Sequence, residues 1–439
     1  MTSTEGDSKL RVAIVGGGTV GLSFALYLNQ LDTCDITVYE STKAFSTIGA
    51  GIEISHNAMK VYQVMGLADT VYELAAAASG DASNTWFDVW FGTRRIGATP
   101  ICTVLANTKL HRADALDLLV RRVPGEKVIL GKHLESWERT AGGGVVMTFT
   151  DGTVAEADVL VGADGIKSVY VANLDQRLVH SQHLARAGVE PKWSGCIAYR
   201  GLIPMEKAVS NLGEYYAYRP NLVSSRCLLE HIIQYPVSRG QFVNLIAYVS
   251  DFDHGRYPEW DGSPLVEPAD TSKMLENFKD YSPPLRNMLA GIENPLKWAI
   301  FELPPLPSYA SGYVVLIGDA AHAAVPHQGN GASQGIEDAH VLANLLSHPL
   351  CTKATVPLAL KAYDAVRRPR SQRLQQSSYD VGRLFECVSD AGEDEAKIAE
   401  AFATVMEWVW SVDINEQRDR AFRLFEESLS NMAEYAMSV

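Results

Sequence analysis

The short apolar run Leu10–Val15 is broken by Gly16-Gly17-Gly18, after which apolar residues recur at helical spacing from Val20 to Leu31. A polar turn, Asp32-Thr33-Cys34-Asp35, leads into the β-branched run Ile36-Thr37-Val38-Tyr39, so Leu10 to Glu40 predicts one strand–helix–strand unit. His111–Val123 opens charged and continues at helical spacing. Val128 to Leu160 reads as short strands with turns at Gly142-Gly143-Gly144 and Asp151-Gly152. From about Trp193 to Val249 the pattern alternates and is rich in Ile, Val and Tyr, which predicts a broad sheet. The Pro-rich stretch from Leu303 to Pro307 precedes a buried-type strand, Tyr313–Ile317. Gly331 onward is helical, and from about Pro357 amphipathic helix is expected to the end.

Strands alternating with helices, then a sheet-rich middle, then a return to strand and helix predict an α/β protein whose first unit is discontinuous. The expected architecture is a Rossmann-like dinucleotide-binding domain with an inserted mixed β-sheet substrate domain and a helical C-terminal region. Residues 1–75, 108–175 and 301–350 are assigned to the first unit, 76–107 and 176–300 to the second, and 351–439 to the helical region.

Composition narrows the function classes. In 439 residues, 38 basic against 52 acidic side chains give a formal charge of −14, a surface that repels phosphate backbones, so no nucleic-acid partner is expected. No apolar stretch approaches the roughly 18 residues that span a bilayer, so no membrane is expected either. The six cysteines form no C-x-x-C pair and read as free thiols of a reducing compartment, hence a cytoplasmic expectation. The histidines show no ligand spacing, and no metal is expected.

The first turn carries candidate chemistry. Gly16-x-Gly18-x-x-Gly21 follows a strand and opens a helix, and Glu40 stands at the tip of the next strand. Gly16 permits the tight turn, Gly18 lets the backbone approach a pyrophosphate, and Gly21 lets the helix lie close to the sheet. The helix N-terminus offers N–H groups and roughly half a positive charge to phosphates. A carboxylate at Glu40 suits a ribose hydroxyl and disfavours a 2′-phosphate, which selects FAD or NAD and leaves the two unseparated. Two later segments also place an Asp at the carboxyl end of a strand, where ligands of open α/β sheets collect. They are Gly162-Ala163-Asp164-Gly165, and Gly318-Asp319-Ala320-Ala321-His322 followed by Pro326-His327-Gln328-Gly329-Asn330-Gly331.

The order of these three motifs resembles that of the class A flavoprotein aromatic monooxygenases, in the salicylate-hydroxylase-like branch of the phenol hydroxylase family. Further matches are Ile48-Gly49-Ala50-Gly51-Ile52, Leu110-His111-Arg112-Ala113-Asp114, Ala198-Tyr199-Arg200-Gly201-Leu202-Ile203-Pro204, Gln334-x-Ile336-Glu337-Asp338-Ala339 and Trp408-Val409-Trp410. The resemblance runs from about residue 10 to 425. It implies FAD as cofactor, with Glu40 at the adenosine ribose, Arg112 at the ribose and phosphates, and Asp319 at the ribitol or pyrophosphate. It implies that Asp164-Gly165 serve both FAD and the passing nicotinamide, that the stretch from Pro326 through Gly329 to Gly331 runs beside the isoalloxazine, and that Gly51 and Ala332 also bind the cofactor. Val171 stands where the family often has an arginine closing the Asp-Gly segment.

The resemblance further implies NADH or NADPH as reductant and O2 as co-substrate, with hydroxylation of a phenolic ring through a flavin C4a-hydroperoxide. Reduction leaves negative charge at the pyrimidine end of the flavin, which a glycine-lined turn feeding the helix from about Ala332 can meet with N–H donors. The substrate phenol reacts best as phenolate, which calls for a cation or base. Arg200, among Ile197, Leu202 and Ile203, is the candidate cation. Tyr235 is the candidate hydrogen-bond donor to the ring oxygen. His231, four residues earlier on the same strand face, is a second candidate for proton relay. His327, beside the flavin loop, is the candidate catalytic residue that faces the substrate side. Dearomatisation of a polyketide resorcinol by the same flavin chemistry is the alternative. A non-catalytic carrier on this fold is disfavoured by the intact Gly318-Asp319 and Gly329–Gly331 segments. A monomer or homodimer is expected.

Overall fold

The computed structural model describes residues 9–45, 51–79, 85–92, 100–105, 108–166, 189–225, 229–251 and 255–438. The Ile48–Ala50 part of the family match, Val171 and Cys227 lie outside the described residues.

Leu10–Val15 is the central strand of a six-stranded sheet in the order 310–311, 314–316, 159–162, 10–15, 34–40, 128–130. All pairings are parallel except that of Ala310–Ser311 with Val314–Leu316. A parallel sheet is covered on both faces, and its inner strands are accordingly buried: Val159–Gly162 is buried at every position. The helix Thr19–Leu31 returns the chain over this sheet and packs against the helix Gly331–Leu346, more than three hundred residues on. Fully buried Leu22, Phe24 and Leu28 sit in that layer, each contributing on the order of 1.5–3 kcal/mol by leaving water.

The second unit is an eight-stranded mixed sheet in the order 266–268, 296–302, 192–204, 242–250, 230–237, 221–224, 85–91, 102–105. Only the pairing of Asn221–Ser224 with Thr85–Phe91 is parallel. The expected broad sheet over 193–249 is corrected in one respect: the helices Met205–Leu212 and Glu214–Ala217 interrupt it. Met205, Ala208 and Leu212 recur at helical spacing and are buried together against the outer face of the sheet, a short amphipathic signal that the β-rich flanks obscure. The inner face packs on the C-terminal helices through Trp86, Phe385, Phe402 and Val409.

The two units meet at a two-stranded ribbon, Gly51–Ile54 with Thr108–His111, which pairs Glu53 with Lys109. The expected C-terminal helix is four helices, Val356–Phe385, Glu395–Thr404, Glu407–Trp410 and Ile414–Ser438. The helix expected from His111 begins at Arg112; His111 ends the ribbon, and its Nδ1 accepts the Ala113 N–H as a cap.

Candidate active site

The first glycine turn builds one wall. Gly16 has φ of +111°, and a Cβ on it would stand 2.3 Å from the Ala163 carbonyl oxygen. A Cβ on Gly21 would stand 2.0 Å from the Gly16 carbonyl oxygen, so both positions are closed to any larger residue. Glu40 accepts the Gly17 N–H at 2.7 Å and the Thr42 N–H at 2.8 Å. Burial alone would raise this carboxyl, but the Thr42 and Gly17 donors outweigh it and hold it below the ordinary range. Gly16, Gly21 and Glu40 thus shape the turn from behind. Gly18 faces a cavity of about 570 Å³, with open space where a Cβ would point.

Thr19, Val20, Arg112, Gly165 and Asp319 line the same cavity near the turn. Pro326, His327, Gly329 and Ala332 line its next stretch. Gly329 has φ of +59°, and a Cβ there would stand 2.5 Å from a carboxylate oxygen of Glu53, so this turn is glycine on two counts. Gly331 opens the following helix just behind the lining, and Asp164 also stands outside it, next to Gly165. Asn330 precedes that helix but spends its side chain on Ser55, Asn57 and Gln334, so the first-turn N–H groups carry no side-chain cap. An open cradle at Gly18 and Gly165, cations and N–H donors along one cavity, and an uncapped helix start beside it fit an anionic dinucleotide with a flat ring.

A buried polar network fixes this loop from below. Arg367, fully buried, binds Asp338 at 2.8 Å and Gln334 at 3.0 Å, and also grips Glu337. Arg370 binds Glu337 at 2.7 Å, and Gln417 of the last helix donates to it at 2.9 Å. Asp338 in turn accepts the Gly318 N–H at 2.9 Å and is 2.6 Å from His322 Nε2, so His322 holds the loop and is not in the cavity wall.

The inner face of the large sheet closes the cavity with Ala198, Ile233, Ile246, Trp298 and Ile300. Among these apolar residues the Arg200 guanidinium lies 5.6 Å from the Trp298 ring centroid. Its Nε is buried with no hydrogen-bond partner among the described residues. Tyr235 and Tyr248 flank it. Burial pushes the Tyr235 phenol up to about 12 against the pull of Arg200, so it is a neutral hydrogen-bond donor at neutral pH. Burial likewise drives His327 well below its ordinary value, leaving a neutral imidazole in the wall.

His231, a candidate for proton relay, does not line the cavity. Strand alternation does put His231 on the Tyr235 face, but the Tyr248 ring stacks on it at 4.5 Å and Phe385 meets it edge-on at 5.4 Å. It therefore sits behind the lining, with Nδ1 2.9 Å from Glu386. Sequence reasoning missed Tyr248, Glu53, Trp298, Glu386 and Arg367. Tyr248 shares the Ile246 face of its strand, a signal that alternation carried; Glu386, at a helix end in a polar stretch, carried none.

The chain matches the FAD binding domain family over residues 9–191 and 306–378, more than half its length. It is 37% identical to a salicylate hydroxylase of Pseudomonas putida over 92% of this chain and 93% of that one. The chain belongs to the FAD-dependent aromatic monooxygenases. The monooxygenase is also 33% identical to the 6-methylsalicylate 1-monooxygenase of Aspergillus terreus, over 95% of this chain and 93% of that one. A salicylate hydroxylase solved as a substrate complex superimposes with a TM-score of 0.82 at 32% identity, covering 94% of this chain and 98% of that one. FAD is thus the cofactor of the monooxygenase, and its cavity runs from the glycine turn to the large sheet.

Proposed function

We propose that the monooxygenase hydroxylates a small phenolic acid of the salicylate type, with NADH or NADPH as reductant and O2 as co-substrate. The observation that carries this reading is Arg200: a cation with a buried, unpaired Nε, set in an apolar wall beside two tyrosines and the Pro326–Ala332 loop. An apolar pocket with one cation selects a flat ring bearing a single anionic group, whether phenolate or carboxylate. The names of the relatives from Pseudomonas putida and Aspergillus terreus support the same substrate class. Bound FAD supplies the oxygen-inserting chemistry, which needs an electron-rich ring in a dry site.

In this reading Gly18, Arg112, Gly165 and Asp319 hold the dinucleotide, and Glu40 serves its adenosine ribose. Asp164 steadies Gly165, and Gly51 with the Pro326–Ala332 loop bounds the flat ring. Arg200 neutralises the substrate anion, Tyr235 donates to its ring oxygen, and His327 takes its proton. The Ile, Trp and Tyr walls exclude water. The free cysteines fit a reducing compartment, the cytoplasm, and no described helix is long and apolar enough to cross a membrane. A monomer or homodimer suffices, because every proposed site residue comes from one chain.

The test is a screen of salicylates, other phenols and polyketide resorcinols, following NAD(P)H oxidation and weighing the product by mass spectrometry. Substrate-stimulated oxidation with loss of CO2 from a salicylate is expected. A dearomatised resorcinol product with no response to any salicylate would instead favour the alternative chemistry. No stimulation by any phenol sinks both.

A further inference from the structure

Glu53 lines the cavity but belongs to neither the glycine turns nor the apolar wall. It stands two positions after Gly51 on the strand Gly51–Ile54, so alternation puts both on one face. The Tyr235 ring lies against that face: a Cβ on Gly51 would stand 2.3 Å from Tyr235 Cε2. Trp86 Nε1 donates to a Glu53 carboxylate oxygen at 3.2 Å, and Trp86, Phe87 and Tyr235 line the cavity around it. Lys109 pairs with Glu53 across the ribbon. It is buried, donates to the Thr85 carbonyl at 3.2 Å, and holds its ammonium 4.6 Å from the Phe87 ring centroid. Lys109 does not line the cavity, so it answers the carboxylate from behind and the pair turns its anionic end to the pocket.

The cavity therefore carries a cation at Arg200 and an anion at Glu53, with Tyr235 near each and apolar side chains around them. Such a slot takes a flat ring with an anionic group at one edge and a hydrogen-bond donor at another. We propose that Glu53 is a specificity residue that accepts a hydrogen bond from a hydroxyl or amino group on the substrate ring, across the ring from the anionic group held by Arg200. The inference rests on the phenolic-acid reading and narrows it to salicylates that carry a second, neutral donor. If the carboxylate sits on Arg200, that donor belongs at ring carbon 4. If the phenolate does, it belongs at ring carbon 5.

The electrostatics agree with the geometry. Burial pulls the Lys109 ammonium down to about 8 while Glu53 pulls it back, so Lys109 is a cation at neutral pH and favours the anionic carboxylate. After burial, Arg200 has the largest influence on the Tyr235 phenol, pulling it down, and Glu53 opposes it, so both charges bear on one hydroxyl. A carboxylate is acceptor-only and offers about four sites, which suits a ring hydroxyl beside Trp86. A hydrogen bond to a charged acceptor is among the strong ones. A methyl in the same place would strip water from the carboxylate and return no hydrogen bond. A second anionic group there would meet like charge.

The test uses the holoenzyme and two matched pairs of ligands. They are 2,4-dihydroxybenzoate against 4-methylsalicylate, and 2,5-dihydroxybenzoate against 5-methylsalicylate. Hydroxyl and methyl are nearly the same size, so the ratio of dissociation constants within a pair, read from flavin absorbance on titration, isolates the donor. In the wild-type protein one pair should favour the hydroxyl by about tenfold or more. Glu53→Gln keeps the shape and an acceptor for Trp86 but loses the charge, and should cut that ratio by about threefold or more. Glu53→Asp draws the charge back by one methylene and should cut the ratio too; it carries the test if Glu53→Gln loses its flavin. A wild-type ratio near one in both pairs, or a ratio that the variants leave unchanged, overturns the inference. Loss of flavin from both variants makes Glu53 a cofactor residue and overturns it as well. If salicylate and all of these relatives fail to bind, the phenolic reading falls; if they bind without preference, only the role of Glu53 does.

Discussion

The Tyr235 hydroxyl occupies the space that a side chain on Gly51 would need: a Cβ there would stand 2.0 Å from it. The ribbon that joins the two units therefore meets the large sheet here, between a cofactor-side glycine and a pocket tyrosine. Lys109 on the paired strand reinforces this contact, donating to the Trp86 carbonyl at 2.6 Å with its ammonium 6.0 Å from the Tyr235 ring centroid.

Gly51→Ala should displace the buried Tyr235 ring from its place in the cavity wall. A misplacement near 1 Å costs on the order of 10²-fold in turnover where reacting groups must be aligned. The expected outcome is a kcat/KM lower by about that factor with more NAD(P)H consumed per product formed. Full coupling in Gly51→Ala would show that the ring relaxes without consequence.

Arg200 stands apart from the buried ion pairs of the fold in that its buried Nε has no hydrogen-bond partner among the described residues. A hydrogen bond to a charged partner contributes about 1.5–3 kcal/mol, so Arg200→Ala should weaken binding of a phenolic acid roughly 10- to 150-fold. Arg200→Lys should restore only part of this, because an ammonium lacks the planar fork and the stacking on Trp298. Titration of flavin absorbance with substrate measures both. Unaltered affinity in Arg200→Ala removes the residue from recognition.

Local signals were legible where one residue type answers one local demand. Gly16 and Gly21 announced the cofactor turn because only glycine meets a positive φ and two contacts closer than any Cβ tolerates, and Gly18 leaves open space beside them. The family resemblance pointed to Tyr235, which lines the cavity wall, and strand alternation set His231 on its face. What stayed hidden depends on segments far apart in the chain. The same alternation put His231 on the pocket face, but Tyr248 and Phe385 cover it, and only the folded sheet brings those rings together. Arg367 reads as one arginine among several on a polar helix until Glu337 and Asp338 arrive from thirty residues upstream. Pairing across such distances leaves no periodicity to read.

Arg367 with Glu337 and Asp338 ties the loop beside the FAD site to the C-terminal helices. Burial alone would raise the Glu337 carboxyl; Arg367 and Arg370 reverse this and hold it far below the ordinary range. Removing one partner of a buried pair leaves an uncompensated charge and costs about 3–5 kcal/mol. Arg367→Ala should therefore lower the melting temperature markedly and release FAD on gel filtration. A variant that melts like the wild type and keeps its FAD would place the strength of the loop elsewhere.

Glu386 makes the pH dependence of stability run opposite to that of Glu337. Its folded value of about 8 lies above that of an unfolded glutamate, about 4.3, so the folded state holds the proton more tightly. That contribution is complete below the unfolded value and is lost as pH rises through about 8. Glu386→Gln removes it while filling the same space. Between about pH 5 and about pH 9 the wild-type protein should lose more melting temperature than the variant does. Glu230, also raised, remains in both proteins, so the difference between the two curves reports mainly on Glu386. Parallel curves across that range would mean that the buried carboxyl titrates near its ordinary value.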